Sequence, residues 1–179
     1  IEDSAFQSCS SLKSVAIPDS VEDVGGGAFA FCEGLKELRL GTGIRTIENG
    51  AFAKCVSLQS VVIPGSVEVV GEASFYGCSE LEELHLGAGI KRIEFGGFGG
   101  RRSLHAAGIP DPARGSGELA FKDCSGLEEL HLGAGIKKIE FGAFDSCSSL
   151  KSVEIPGSVE SVGEWAFSKC DELEELQLG

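Results

Sequence analysis

The sequence predicts a repeat solenoid: about eight units of parallel β-strand, stacked into one array and joined by short helical or 3₁₀ turns. Three observations carry this. Phenylalanine recurs every 23 residues, at Phe6, Phe29, Phe52, Phe75, Phe98, Phe121, Phe144 and Phe167. Leucine keeps the same interval at Leu12, Leu35, Leu58, Leu81, Leu104, Leu127, Leu150 and Leu173. All seven cysteines fall in one further column, Cys9, Cys32, Cys55, Cys78, Cys124, Cys147 and Cys170, whose vacant place is held by Arg101. A fixed period of this size, with no insertion, marks stacked supersecondary units rather than a folded single core.

Each element follows from the unit "AFxxCxxLxxVxIPxSVxxVG". The "AFxxC" piece is too short for a long helix, so one tight helical or 3₁₀ turn is expected there. In the first unit Val15 and Ile17 then alternate with Ser14 and Ala16, as a half-buried strand requires. Pro18 and the glycines mark turns, and Val21 and Val24 form a second short apolar stretch. No unit can bury its own Phe, Leu, Val and Ile, and stacking solves this. A longer period lies above the first. Odd units carry Ile-Pro, as at Ile17-Pro18 and Ile63-Pro64, and even units carry Leu-Gly, as at Leu40-Gly41 and Leu86-Gly87. The duplicated unit is therefore 46 residues.

The stretch Ala143 to Phe167, "AFDSCSSLKSVEIPGSVESVGEWAF", resembles the BspA-like leucine-rich repeat of bacterial and protist surface proteins. The resemblance spans the whole chain. It implies a curved leucine-rich-repeat array, one domain over residues 1–179, with a binding or adhesive role and a cell-surface or secreted location. It offers no catalytic residues. Ile1-Glu2 matches Ile47-Glu48, the chain stops in mid-unit at Gly179, and neither end carries a polar cap. The expectation is a segment of a longer array.

Bulk properties narrow the function. A net charge of −13 argues against nucleic acid as a partner, because phosphate binding needs a basic surface. No apolar run reaches the roughly 18 residues of a membrane span. No CxxC or HxxxH spacing occurs. His85 and His131 sit two rungs apart, roughly 10 Å, too far to share one ion. The Gly-x-Gly pieces at Gly41, Gly87 and Gly133 lack the rest of a phosphate-loop fingerprint and are expected to be turn glycines. No metal, cofactor or enzymatic activity is expected. The cysteine column reads either as disulfides between adjacent rungs or as a reduced, buried ladder, and the odd number favours the ladder.

In a stack each alignment column becomes a ladder with rungs about 4.8 Å apart. One column runs Glu22, Arg45, Glu68, Lys91, Arg114, Lys137, Glu160, alternating in sign until Arg114 makes three basic rungs in a row. The outward strand positions are the candidate partner-binding face, with Glu37, Arg39, Glu83, His85, Glu129, His131, Glu154 and Glu175 as its charged members. A protein partner or a larger assembly is expected there. A solvated sheet face echoing recent duplication is the competing reading.

The fifth unit, about 96–118, stays in register but is degraded. Arg101 replaces the ladder Cys, Ala107 replaces Leu or Val, and Ala113 and Ser116 replace Val or Ile. Leu119 is expected to fill part of the resulting void. One reading is a soft joint left by neutral decay. The other is a basic patch on an acidic protein, made by Lys91, Arg92, Arg101, Arg102, His105, Arg114, Lys137 and Lys138. The function this supports is a non-catalytic protein-interaction or adhesion module. The alternative is a structural subunit or spacer in a larger complex or surface layer, which could be intracellular and would expose apolar residues such as Val62, Phe95, Phe141 and Trp165 when isolated.

Overall fold

The computed structural model describes residues 1–179, and these residues form a parallel β-solenoid of about seven turns without helices. The strands in chain order are β1 (Ser14–Ala16), β2 (Asp23–Val24), β3 (Glu37–Arg39), β4 (Thr46–Ile47), β5 (Ser60–Ile63), β6 (Val69–Val70) and β7 (Glu83–Leu86). They continue as β8 (Arg92–Ile93), β9 (Ala106–Ile109), β10 (Glu129–Leu132), β11 (Lys138–Ile139), β12 (Ser152–Ile155), β13 (Ser161–Val162) and β14 (Glu175–Leu178). Every coil gives one strand to a first wall, and every complete coil except the fifth gives a short strand to a second wall. Inside lies one continuous apolar core, with Phe52, Phe75, Phe98, Phe121 and Phe144 fully buried. The phenylalanine rings stack from coil to coil at centroid spacings between 5.1 and 5.6 Å.

The turn around each phenylalanine departs from the expected helical geometry, and the reason is visible in its amides. Phe6 N–H donates to the Ala28 carbonyl of the next coil at 2.8 Å, and Gln7 N–H donates within its own coil to Ser4 at 3.0 Å. Ser8 N–H again crosses to the next coil, to Ala30 at 2.8 Å, and Cys9 N–H returns to Phe6 at 3.3 Å. A helix needs every N–H to turn back on its own chain, so alternate crossing excludes one. Left-handed residues two places before and two places after each phenylalanine produce the alternation. Gly50 (φ 65°) and Lys54 (φ 60°) bracket Phe52, and Leu119 (φ 52°) and Asp123 (φ 59°) bracket Phe121. Such a conformation costs a non-glycine residue roughly 1–2 kcal/mol, and the crossing bonds offset it. Leu119 occupies one of these sites and leans on Gly142. Its side chain packs on the turn of the next coil.

The 46-residue period has a physical basis in the first wall. Odd-to-even joints pair in full: β1 with β3, β5 with β7, β9 with β10 and β12 with β14. Even-to-odd joints pair at Glu37↔Ser60 alone, or not at all. At the full joints, bonds such as Gly133 N–H to the Ile109 carbonyl (2.8 Å) close the strand end. The equivalent donor at an even-to-odd joint is Pro64, Pro110 or Pro156, which has no N–H to give. The even-unit glycines complete the match. A Cβ on Gly41 would lie 2.5 Å from the Pro18 carbonyl, so only glycine lets the coil seat against Ile-Pro. The Gly-x-Gly pieces are thus close-approach glycines as well as turn glycines.

Candidate functional site

The first wall presents a uniform outer surface. Its strands read exposed, buried, exposed along their length, so Glu37, Glu83 and Glu129 and then Arg39, His85 and His131 project outward while Leu38, Leu84 and Leu130 enter the core. Glu154 and Glu175 are exposed on the same face. Beside it, Lys151 Nζ meets Glu128 at 2.6 Å, and this hydrogen bond holds the Glu128 carboxyl below its ordinary value.

The cysteine column does one job throughout the stack. Every thiol after Cys9 donates to the phenylalanine carbonyl of the coil before it, as from Cys55 to Phe29 (3.3 Å), Cys78 to Phe52 (3.3 Å) and Cys147 to Phe121 (3.3 Å). All seven cysteines are free. Burial pushes the Cys124 thiol up to about 11 and the Cys55 and Cys147 thiols further, which keeps them protonated and inert.

Arg101 is fully buried, which removes it from the expected surface patch. Its guanidinium takes over the missing thiol's task. Nη2 donates to the Phe75 carbonyl at 2.6 Å, the acceptor a cysteine there would use, and Nη1 donates to the Phe98 carbonyl of its own coil. The guanidinium carbon lies 5.0 Å from the Phe98 ring centroid, and Nε has no partner. No carboxylate pairs with it, and burial depresses its pKa.

The other members of the predicted basic patch part company. Arg102 lines a shallow groove with Asp123, Lys169 and Asp171, and His105 lies by Glu82 and His85 at the edge of the strand face. The remaining five, Lys91, Arg92, Arg114, Lys137 and Lys138, line one cleft of about 580 Å³ on the second wall. The cleft exists because the second wall breaks. β2, β4, β6 and β8 form one sheet and β11 and β13 another, with only the bridge Gly115↔Lys138 reaching into the fifth coil. Gly115 stands in the column between Arg92 and Lys138, and the Glu140 carboxylate lies over it, 2.9 Å from where a Cβ would stand. Glu94, Glu118 and Glu140 line the same cleft. Burial is the main cause raising the Glu140 carboxyl, opposed by the Gly117 N–H and reinforced by Glu118. Sequence reasoning missed these glutamates, although Glu94 and Glu140 flank Gly117 in one alignment column and Glu118 stands between Phe95 and Phe141 in the next.

A stack of in-register 23-residue coils with a broad exposed strand face is a repeat scaffold of the leucine-rich kind. The family profile "BspA type Leucine rich repeat region" matches residues 1–128 and 101–179, in six copies, and the chain belongs to that family. No curated protein matches it. Among solved structures, a leucine-rich repeat protein from Bacteroides ovatus is 23% identical with a TM-score of 0.72, over 99% of this chain and 40% of that one. The chain thus spans two fifths of that protein. The leucine rich repeat protein of T. pallidum is 29% identical with a TM-score of 0.65, covering 97% of this chain and 71% of its own. A leucine rich cell surface protein from Faecalibacterium prausnitzii is 20% identical with a TM-score of 0.58, over 99% and 76%. No helix of the chain is long and apolar enough to cross a membrane.

Proposed function

We propose that the chain is a non-catalytic protein-interaction or adhesion module that meets a protein partner through the strand face of the first wall. The carrying observation is the continuity of that face. From Ser14 to Glu175 one outward column is exposed on every coil, with glutamate on alternate rungs, while the inward neighbours from Leu38 to Val153 are buried in the core. An exposed face with periodic charge and little enclosed volume suits a macromolecular surface better than a small molecule. The Faecalibacterium protein is a cell surface protein, and that supports the adhesive form of the reading. The test is capture of partners by the chain and by its Glu83→Lys/Glu129→Lys variant. Partners held by the first and lost by the second, with circular dichroism unchanged, support the face. Partners held equally by both defeat it.

A second reading rests on a different observation. Val62, Phe95 and Trp165 are exposed at 61%, 48% and 65%, and the Trp165 and Phe141 rings lie 5.2 Å apart in an outward pair. A structural subunit in a larger complex would bury such residues. Stoichiometric co-purification that survives the glutamate variant and is lost in Trp165→Ser would favour it.

A further inference from the structure

We propose that Cys78 is a masked modification site, uncovered when the Arg101 guanidinium leaves the core and then open to a small disulfide by thiol–disulfide exchange. It lies on the turn side of the joint between the fourth and fifth coils and does not depend on the strand face.

Each thiol in the column is covered by the residue at the same place in the next coil. The last coil shows what that cover does. Cys170 has no coil after it, and it is partly exposed although its thiol still donates to the Phe144 carbonyl at 3.4 Å. Cys55 and Cys124 lie under Cys78 and Cys147 and are buried. Cys78 is buried as well, but its cover is Arg101, the one charged residue in the column.

Arg101 is a cover that water draws outward. It is fully buried, no carboxylate pairs with it, and its Nε has no partner. The other buried charge, Asp145, has Lys122 at 3.2 Å. An unpaired ion in the core forfeits hydration that it regains once the side chain swings out. Against this stand its bonds to the Phe75 and Phe98 carbonyls and the Phe98 ring. Burial pushes the Cys78 thiol up, and Arg101 is the largest opposing influence. A guanidinium beside an uncovered thiol favours the reactive thiolate.

The backbone around Cys78 is free to let the side chain pass. The left-handed position before the thiol is Ser8, Phe31, Lys54, Asp123, Ser146 or Lys169 in the other coils, and glycine only in the two that meet here, Gly77 (φ 72°) and Gly100 (φ 78°). Glycine holds that conformation without stiffening the chain. The crossing bond from this position is 2.7 or 2.8 Å at every other joint, whereas Gly77 N–H reaches Gly99 at 3.4 Å. Beyond it neither wall pairs the two coils.

Once uncovered, the Cys78 thiol gives its proton to water and the thiolate attacks one sulfur of the disulfide. A sulfur–sulfur bond forms to Cys78 as the original one breaks, and the other half leaves as a thiolate. The disulfide is the oxidant. The close-packed stack has no room for the adduct beneath Arg101, so modification holds this corner open.

The experiment treats the 179-residue chain with dithiodipyridine, a small uncharged disulfide, at mildly alkaline pH and follows each cysteine by peptide mass spectrometry. Cys9 and Cys170 should react first. Cys78 should follow, at least about tenfold faster than Cys55 and Cys124. Arg101→Met, which keeps a long side chain and drops the charge, should slow Cys78 to the rate of Cys124. Gly100→Ser, which keeps the charge and stiffens the turn, should also slow it. Cys78 reacting no faster than Cys55 and Cys124 in the native chain overturns the proposal, and so does an unchanged or faster Cys78 in a folded Arg101→Met. If Arg101→Met does not fold, all seven thiols react together, and Gly100→Ser decides: a slower Cys78 supports the proposal and an unchanged one overturns it.

Discussion

The fifth coil meets its two neighbours in opposite ways. Toward the sixth coil it is an ordinary member of the stack. β9 pairs with β10 over four residues, Glu128 and Glu129 N–H donate to His105, and Lys137 and Lys138 N–H donate to Arg114. Toward the fourth coil neither wall pairs. What remains there is the turn side, and even that is stretched. Gly77 N–H reaches Gly99 at 3.4 Å where the equivalent Gly100 to Lys122 bond is 2.7 Å, and Phe75 and Phe98 have the widest ring spacing of the stack, 5.6 Å. The coil has therefore not decayed as a whole. Pro110 weakens the first wall as prolines do at every even-to-odd joint, and Gly115-Ser116 adds the loss of the second wall at this joint alone. Arg101 crosses the gap by holding the Phe75 carbonyl.

Substitutions separate the two joints. The largest effect is expected from Phe52→Ala, which opens the core at a fully bonded joint and should cost about 3–5 kcal/mol in chemical unfolding. Phe98→Ala should cost less, because the joint it would open already lacks strand pairing. Equal losses would mean that the two joints are equally strong. Ser116→Ile restores the residue type of its column. It should stabilise by about 1 kcal/mol, since the buried methylenes outweigh the lost hydrogen bond from Glu140 N–H to the Ser116 Oγ at 2.8 Å. A lower melting temperature would show that the joint has no room for the larger side chain.

A third comparison isolates the thiol ladder. Cys55→Ala removes the donor to the Phe29 carbonyl, and Cys55→Ser keeps one. The alanine variant should be the less stable of the two by about 1 kcal/mol. The smallest effect is expected at Glu140. Its folded pKa is raised, so the ionised carboxylate opposes folding, and the native chain loses that part of its stability as pH rises from 4.5 through the raised value. Glu140→Gln should therefore melt slightly above the native chain at neutral pH, with the gap closing as pH falls below 4.5. A gap that widens on acidification would reverse the sign.

The stack itself was legible in the sequence because one apolar residue type holds each column. Phe, Leu and Cys positions predicted the core, and the Ile-Pro and Leu-Gly alternation marked a 46-residue unit, whose basis in strand pairing only the structure reveals. The turn geometry was hidden, because left-handed residues such as Lys54 and Asp123 carry no glycine to mark them. Arg101 carried two opposed signals, a buried column and a charged side chain, and the column won because a guanidinium can reach the same carbonyl as a thiol. The basic patch looked contiguous along the chain, yet one coil wraps the whole cross-section. Arg102 and His105 therefore emerge on other faces than Lys91, Arg114 and Lys138.

Native-state amide exchange reads the two sides of the fifth coil in one sample. Arg114 and Gly115 N–H should exchange at rates near those of an open chain, while Lys137 and Lys138 N–H, one coil on and bonded to the Arg114 carbonyl, should be protected by orders of magnitude. Equal protection at the two pairs would show that the fourth and fifth coils are bonded like the rest, and the loose joint with its cleft would have to be abandoned.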